Sequence, residues 1–471
     1  MNQDSLHPQP IRAVCFPRGR LAFGLKGRAI GLLCAGLILA LPGFFRAPLA
    51  FGMLAWDAVV LLAALWDGLR LPPPQSIVAE RSWSNTPSLD SETEIEIAIE
   101  QSSATTLECS LVDDLPDALV SAPSTRALRV FPRVRVALRY RIRPRERGET
   151  TAGALFVRYA SPLGLVERWA QAPLEQTVRV YPALRQGEDQ QIFLARSRQI
   201  DLQLRQMRQR GLGRDFESLR EYLVGDDLRD VCWTATARRG QLITRRYQTE
   251  RSQAVWIVLD AGRLLRARTT LKAEPGVGDP HPIGHSKLDY ACSTAVAMAQ
   301  LALYSGDRVG LLVYGQSIQQ RLLPGRGAAH MRQIVEALAM ARAESSEADH
   351  LRATATLNRL QPRRSLILWI TDLAETAMRP EVVDGALQLL SRHVLLFVAM
   401  AQPDVEAIAA ARPKNVAEMF RAAAAQELTS RRELLLARLR EQGALTLDLD
   451  PANLTSAVLN QYLKVKERAM V

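Results

Sequence analysis

Four apolar runs, separated by helical patterning, constrain this chain more than any other feature. They are Ala254-Val-Trp-Ile-Val-Leu-Asp260, Asp307-Arg-Val-Gly-Leu-Leu-Val-Tyr314, Ser365-Leu-Ile-Leu-Trp-Ile-Thr-Asp372 and His393-Val-Leu-Leu-Phe-Val-Ala399. Strands this continuously apolar need cover on both faces, which amphipathic segments at 288–305 and 331–343 can supply. The β-α-β order predicts parallel neighbours, so residues 254–471 are expected to form an α/β domain around a doubly wound, mostly parallel sheet. A long helix to about residue 442, a last strand at 444–449 and a helix opened by Asp450-Pro451 complete it.

Two further patterns precede this domain. From Glu94-Ile-Glu-Ile-Ala-Ile-Glu100 to Ala154-Leu-Phe-Val-Arg-Tyr159, short segments alternate with period two and are parted by turn residues, which predicts a β-sandwich-like domain over 75–185. Upstream, apolar stretches taken from Leu21 to Phe45 and from Leu49 to Trp66 flank the break at Pro42-Gly43. Each is near the roughly 17–25 residues that cross a bilayer core, so residues 1–70 read as an N-terminal tail and a transmembrane helical hairpin. Pro72-Pro-Pro74 ends it, and 186–253 reads as a connector. Arg12, Arg18, Arg20, Lys26 and Arg28 precede the first stretch, which the positive-inside rule keeps in the cytoplasm. Two crossings return the rest of the chain to the same side. The expected location is the inner (cytoplasmic) membrane, with contact to membrane lipid through the hairpin.

A formal net charge of +11 fits anionic lipid, an acidic protein or nucleic acid. The arginines are scattered and no Lys/Arg block lies beside stacking aromatics, so nucleic acid is not an expected partner. Five widely spaced cysteines without a Cys-x-x-Cys pair indicate neither a disulfide framework nor a zinc ribbon.

In open α/β sheets, ligands bind beyond the carboxyl ends of the strands, and two of these strands end in Asp260 and Asp372. With a hydroxyl such as Ser286 or Thr371 they offer oxygen ligands to a divalent cation such as magnesium, and a metal-dependent hydrolase using Asp260 and Asp372 is the alternative function to consider. The competing role for Ser286 is an S-x-x-D capping box with Asp289. His281 and His285 are parted by Pro282, which excludes the helix that would align them as a metal clip. No P-loop, nucleophile elbow or His-Glu-x-x-His pair is present, so no catalytic residue is assigned and no cofactor is expected.

Residues 214–240 contain Leu219-Arg-Glu-Tyr222, Gly225-Asp-Asp-Leu-Arg229, Trp233 and Ala237-Arg238. This stretch resembles the signature of the bacterial family called domain of unknown function 58. That resemblance implies a von Willebrand A-like domain behind a membrane hairpin and a β-rich segment. It also implies a membrane-anchored protein-interaction module, not an enzyme, working with a MoxR-type AAA+ ATPase and a client protein in chaperone-like maturation, envelope or stress functions. Metal-binding von Willebrand A domains carry Asp-x-Ser-x-Ser after the first strand, whereas this chain reads Asp260-Ala-Gly-Arg-Leu264. The signature residues Arg220, Tyr222, Gly225, Asp226, Asp227, Arg229, Trp233 and Arg238 admit two roles. They present charge and a tryptophan anchor to a partner, or they pair internally while Trp233 fills the junction with the sheet.

Overall fold

The structure is a computed structural model that describes residues 8–19, 22–38, 51–119, 125–183, 215–223, 231–248, 253–269, 284–373 and 381–468. It divides into two compact units, Met1–Ala183 and Leu184–Val471.

In the first unit the chain starts with strands β1 (Ile11–Val14), β2 (Phe16–Pro17) and β3 (Phe23–Leu25), followed by helices α1 (Gly27–Gly36) and α2 (Phe51–Leu69). Strands β4 (Ile77–Trp83), β5 (Thr93–Gln101), β6 (Leu107–Asp113), β7 (Arg126–Val130) and β8 (Val136–Ile142) come next, then β9 (Gly148–Ala152), β10 (Leu155–Ala160), β11 (Val166–Ala172) and β12 (Gln176–Val180). One sheet has the order β1-β4-β5-β8 and another β2-β11-β10-β6-β7, with β3 also on β11. The strand alternation buries Ile95, Ile97 and Ile99 of β5 with Leu111, Val157 and Tyr159 in one core. Within this core Arg81 is sealed from solvent, paired to Asp113 and donating to the carbonyls of Leu174 (2.8 Å) and Gly153 (3.0 Å). Burial pushes the Cys15 and Cys109 thiols up to about 12, so both pack as small apolar side chains.

Two expectations for the N-terminus change. Residues 11–17, expected as a tail, are strands: β1 pairs antiparallel with β4 and β2 with β11, because Ile11-Arg-Ala-Val14 alternates and its inward residues extend the sheet. The first helix starts at Gly27, not near Leu21, because Phe23–Leu25 is drawn into pairing with β11. The predicted turn at Pro42-Gly43 lies outside the described residues. The segment Phe51–Ser76 contains a helix long and apolar enough to cross a membrane, and α1 is a shorter apolar helix. The two pack closely: the Trp56 indole donates to the Leu32 carbonyl at 2.8 Å, and a Cβ at Gly36 would come within 2.6 Å of Trp56 Cδ1.

The second unit opens with an antiparallel pair, β13 (Asp215–Glu221) and β14 (Ile243–Gln248), around the short helix α3 (Trp233–Arg239). Its main elements are β15 (Ala254–Asp260), the two-residue strands β16 (Arg268–Thr269) and β17 (His285–Ser286), α4 (Lys287–Tyr304), β18 (Arg308–Tyr314), β19 (Ile318–Gly325), α5 (Gly327–Met340) and α6 (His350–Leu360). They continue with β20 (Leu366–Thr371), α7 (Glu381–Leu390), β21 (Val394–Met400), α8 (Pro403–Ala410), α9 (Val416–Glu441), β22 (Leu445–Leu449) and α10 (Leu454–Glu467). The sheet order is β19-β18-β15-β20-β21-β22, with β19 antiparallel and the other neighbours parallel. Counted along the chain this is 3-2-1-4-5-6, a doubly wound arrangement whose switch point lies between β15 and β20. The single long helix expected before the last strand is two helices, α8 and α9, because Pro413 and its neighbours cannot continue the first.

Candidate functional site at the sheet switch point

The carboxyl ends of β15 and β20 bring Asp260, Thr371 and Asp372 to the crevice where ligands of such sheets bind. All three are buried. One Asp260 oxygen accepts from the Gly262 amide at 2.7 Å and the other from the Thr371 hydroxyl at 2.6 Å. Burial raises the Asp260 carboxyl above the usual carboxylate range, opposed by the charge of His350, the Thr371 and Gly262 hydrogen bonds, and reinforced by Asp372. His350 is positioned by a buried relay in which the Trp369 indole donates to Tyr314 Oη (2.8 Å), which bonds His350 Nδ1 (2.9 Å).

Asp372 sits between two cations. Lys287 Nζ donates to one carboxylate oxygen at 2.6 Å, Gln402 donates to the same oxygen at 3.1 Å, and Arg432 Nη1 donates to the other at 3.0 Å. Arg432 also forks onto Asp448, with Nη2 at 2.6 Å and Nε at 3.1 and 3.2 Å. These bonds hold Arg432 charged despite its burial: desolvation disfavours the charged form, but Asp448 and Asp372 outweigh it and raise the pKa. Ser286 forms the capping box, donating to Asp289 Oδ2 at 2.6 Å and accepting from the Asp289 amide at 3.2 Å.

These residues do not fit a divalent cation. Each candidate ligand already has protein partners, and a dication beside Asp372 would meet the charges of Lys287 and Arg432 at short range. The serine-to-glycine departure at 262 also has a steric cause. A Cβ there would lie 2.9 Å from the Ala348 amide nitrogen and 3.1 Å from Asp260 Oδ1, so no hydroxyl-bearing side chain can stand at that position without moving the 344–349 loop. Among the described residues no group of three or more His, Cys, Asp or Glu side chains is arranged to hold a metal.

Lys287, Arg432 and His350 were not singled out from sequence. Lys287 did carry a signal, since a cation at the first position of a helix opposes the helix dipole and needs a compensating anion. Arg432 is one arginine among many on α9, and nothing local marks it.

The signature segment is a separate locus of this unit. Gly225, Asp226, Asp227 and Arg229 lie outside the described residues. Arg220 lies at the end of β13 and Tyr222 just after it, where the Tyr222 amide donates to the Leu242 carbonyl at 2.9 Å. Arg238 is exposed in the last turn of α3. Trp233 starts that helix and is 66% exposed, so it neither fills a junction nor serves as a buried anchor within the chain.

No curated protein matches the chain. Among solved structures it is similar to a conserved hypothetical protein BatB from Bacteroides thetaiotaomicron, at 14% identity and a TM-score of 0.29 over 45% of this chain and 98% of that one. It is similar to an uncharacterized membrane spanning protein from Vibrio fischeri, at 14% identity and a TM-score of 0.15 over 45% of this chain and 96% of that one. A third likeness is to proximal thread matrix protein 1 from the mussel byssus, at 13% identity and a TM-score of 0.26 over 45% of this chain and 47% of that one. The model of the family described as protein of unknown function DUF58 matches residues 218–412, from the signature strand through the switch point to the end of α8, and this region is what the chain shares with that family.

Proposed function

We propose that the chain is a membrane-anchored protein-interaction module, whose von Willebrand A-like domain presents the signature segment and sheet rim to a MoxR-type AAA+ ATPase and its client. The observation that carries this reading is Trp233, a large aromatic exposed at the start of α3 within the signature. Tryptophan is the residue type most enriched among interface anchors, and its exposure is costly unless something covers it. The sheet order with one antiparallel edge supports the von Willebrand A-like assignment. The protein partners of both carboxylates support a role without catalysis: Asp260 accepts from Gly262 and Thr371, and Asp372 accepts from Gln402 and is neutralised by Lys287 and Arg432.

Anchoring follows from α2 and from strand pairing. Because β1 and β3, before the helices, pair with β4 and β11, after them, any excursion into the membrane between residues 26 and 76 must enter and leave on one side. The basic residues ahead of α1 favour the cytoplasmic side of the inner membrane. The test is capture of the detergent-solubilised full chain by an ATP-locked MoxR-type ATPase, beside the Trp233→Ala variant. Retention of the parent chain with about tenfold weaker retention of the variant is expected for an anchor of roughly 1–2 kcal/mol. Failure to retain the parent chain on any such ATPase would remove the proposal.

A further inference from the structure

The two helix roots in the first unit are fastened to one end of the sandwich, and the surface around them has a distinct chemistry. At the α2 root, Asp67 is fully buried and its carboxylate accepts from the Ser161 hydroxyl and from the amides of Leu163 and Leu165, both at 3.2 Å. At the α1 root, β3 pairs with β11 and the Lys26 amide donates to the Leu165 carbonyl at 2.8 Å. The 161–165 loop is therefore fixed at the level where both helices leave the sandwich. On this level Phe23 is 59% exposed and Leu163 50%, next to the exposed apolar flank of α2.

Lys26, Arg28 and Arg70 surround these apolar residues. Arg70 lies over the Trp66 ring at 3.6 Å, and Arg28 packs beside Gly164, whose added Cβ would meet its Nη1 at 3.3 Å. None of the three cations is in an ion pair among the described residues, whereas three arginines on and beside β8 are paired: Arg135 with Glu80, Arg139 with Glu96, Arg143 with Glu92. Of the acids at this level, Asp67 is spent on the loop, and Glu167, opposite Gly24, accepts from the Trp169 indole at 3.0 Å and faces Arg158 at 3.8 Å. Exposed apolar side chains ringed by unpaired cations and an interfacial tryptophan are what a surface needs to sit in the headgroup layer, with long basic side chains reaching phosphates.

We propose that this collar is a docking surface for anionic lipid: Phe23 and Leu163 enter the outer acyl layer while Lys26, Arg28 and Arg70 engage headgroup phosphates. It rests on the reading that α1 and α2 enter the membrane, and it adds a lipid preference that an apolar helix alone does not confer. Continuity with the exposed apolar flank of α2 and the local charge select a lipid surface over a protein or free phosphate.

The test reconstitutes the full chain in phosphatidylcholine vesicles holding a minority of phosphatidylglycerol, extracts it with its surrounding lipid in polymer discs, and measures the lipid ratio. Phosphatidylglycerol is expected severalfold above bulk, falling with each cation removed and reaching bulk in the Lys26→Gln/Arg28→Gln/Arg70→Gln variant. The Arg28→Lys/Arg70→Lys variant should keep the enrichment, and high salt should abolish it in the parent chain without any substitution. A bulk ratio around an incorporated parent chain, or an unchanged ratio in the Gln variant, overturns the collar and leaves the anchor standing. Displacement by inorganic phosphate beyond its ionic-strength effect overturns the choice of lipid. A chain that never enters the vesicles overturns both.

Discussion

Lys287 Nζ lies 2.6 Å from Asp372 Oδ2 with both side chains sealed from solvent, so the sheet's switch point carries its own cation. An ion pair of this kind gains little over an apolar pair of equal volume, but breaking it leaves a buried charge. Lys287→Met is therefore expected to cost about 3 kcal/mol, with Arg432 still holding one oxygen of Asp372. Denaturant unfolding of the second unit, followed by the fluorescence of the buried Trp256 and Trp369, reads the loss. Titration of magnesium into the parent chain should leave that transition where it was.

Restoring the hydroxyl at position 262 should not restore a metal site. Gly262→Ser must push the Ala348 backbone away, and overpacking of this sort costs about 1–3 kcal/mol. Calorimetry with magnesium or manganese should show no binding in the variant. Binding at micromolar strength would mean that only one missing ligand separates this rim from a metal centre.

His393 gives the second unit a pH dependence. Burial, aided by the neighbouring charge of Arg392, lowers its pKa below the ordinary 6.5, and its Nδ1 is held by Ser365 Oγ at 3.0 Å. The unfolded chain then binds this proton more readily than the folded one. Its contribution is complete above about pH 6.5 and is lost as the pH falls from there through the folded value. Unfolding midpoints measured between neutral and mildly acidic pH should fall in the parent chain and fall less in His393→Leu.

Asp67→Ala should release the loop from the α2 root. The substitution leaves the Ser161 hydroxyl and the amides of Leu163 and Leu165 without their acceptor, at about 2–3 kcal/mol for groups this buried. Hydrogen exchange at Leu163 and Leu165 should accelerate, while amides in β5 keep their protection. Equal acceleration throughout the sandwich would show that Asp67 holds the whole unit together and not this loop alone.

The sheet of the second unit was legible because its strands are apolar on both faces, a pattern that survives without knowledge of neighbours. Ser286 and Asp289 were legible as a cap for the same reason: a capping box is written within four residues. The partners of Asp372 were not, because Lys287 is 85 residues away and Arg432 is 60, and only the wound topology brings them together. Strands β1 to β3 escaped notice because two to four residues are too few for a periodicity to declare itself, and their pairing partners lie beyond the helices. Of the two roles left open for Trp233, its exposure removes only the filling of the junction. A tryptophan is normally read as core, and its exposure on a seven-residue helix has no local signal.

Strand pairing across the helices also orders events during synthesis. Residues 11–25 emerge from the ribosome before the helices, yet β1 must await β4 and β3 must await β11, both made only after the apolar helices. Under the proposed anchoring, the helices would reach a bilayer while the strands before them are still unsatisfied, and closing the sandwich afterwards would tie the two roots together like a drawstring. A nascent chain halted before Ala172 would leave edge strands open, free to pair with any neighbour.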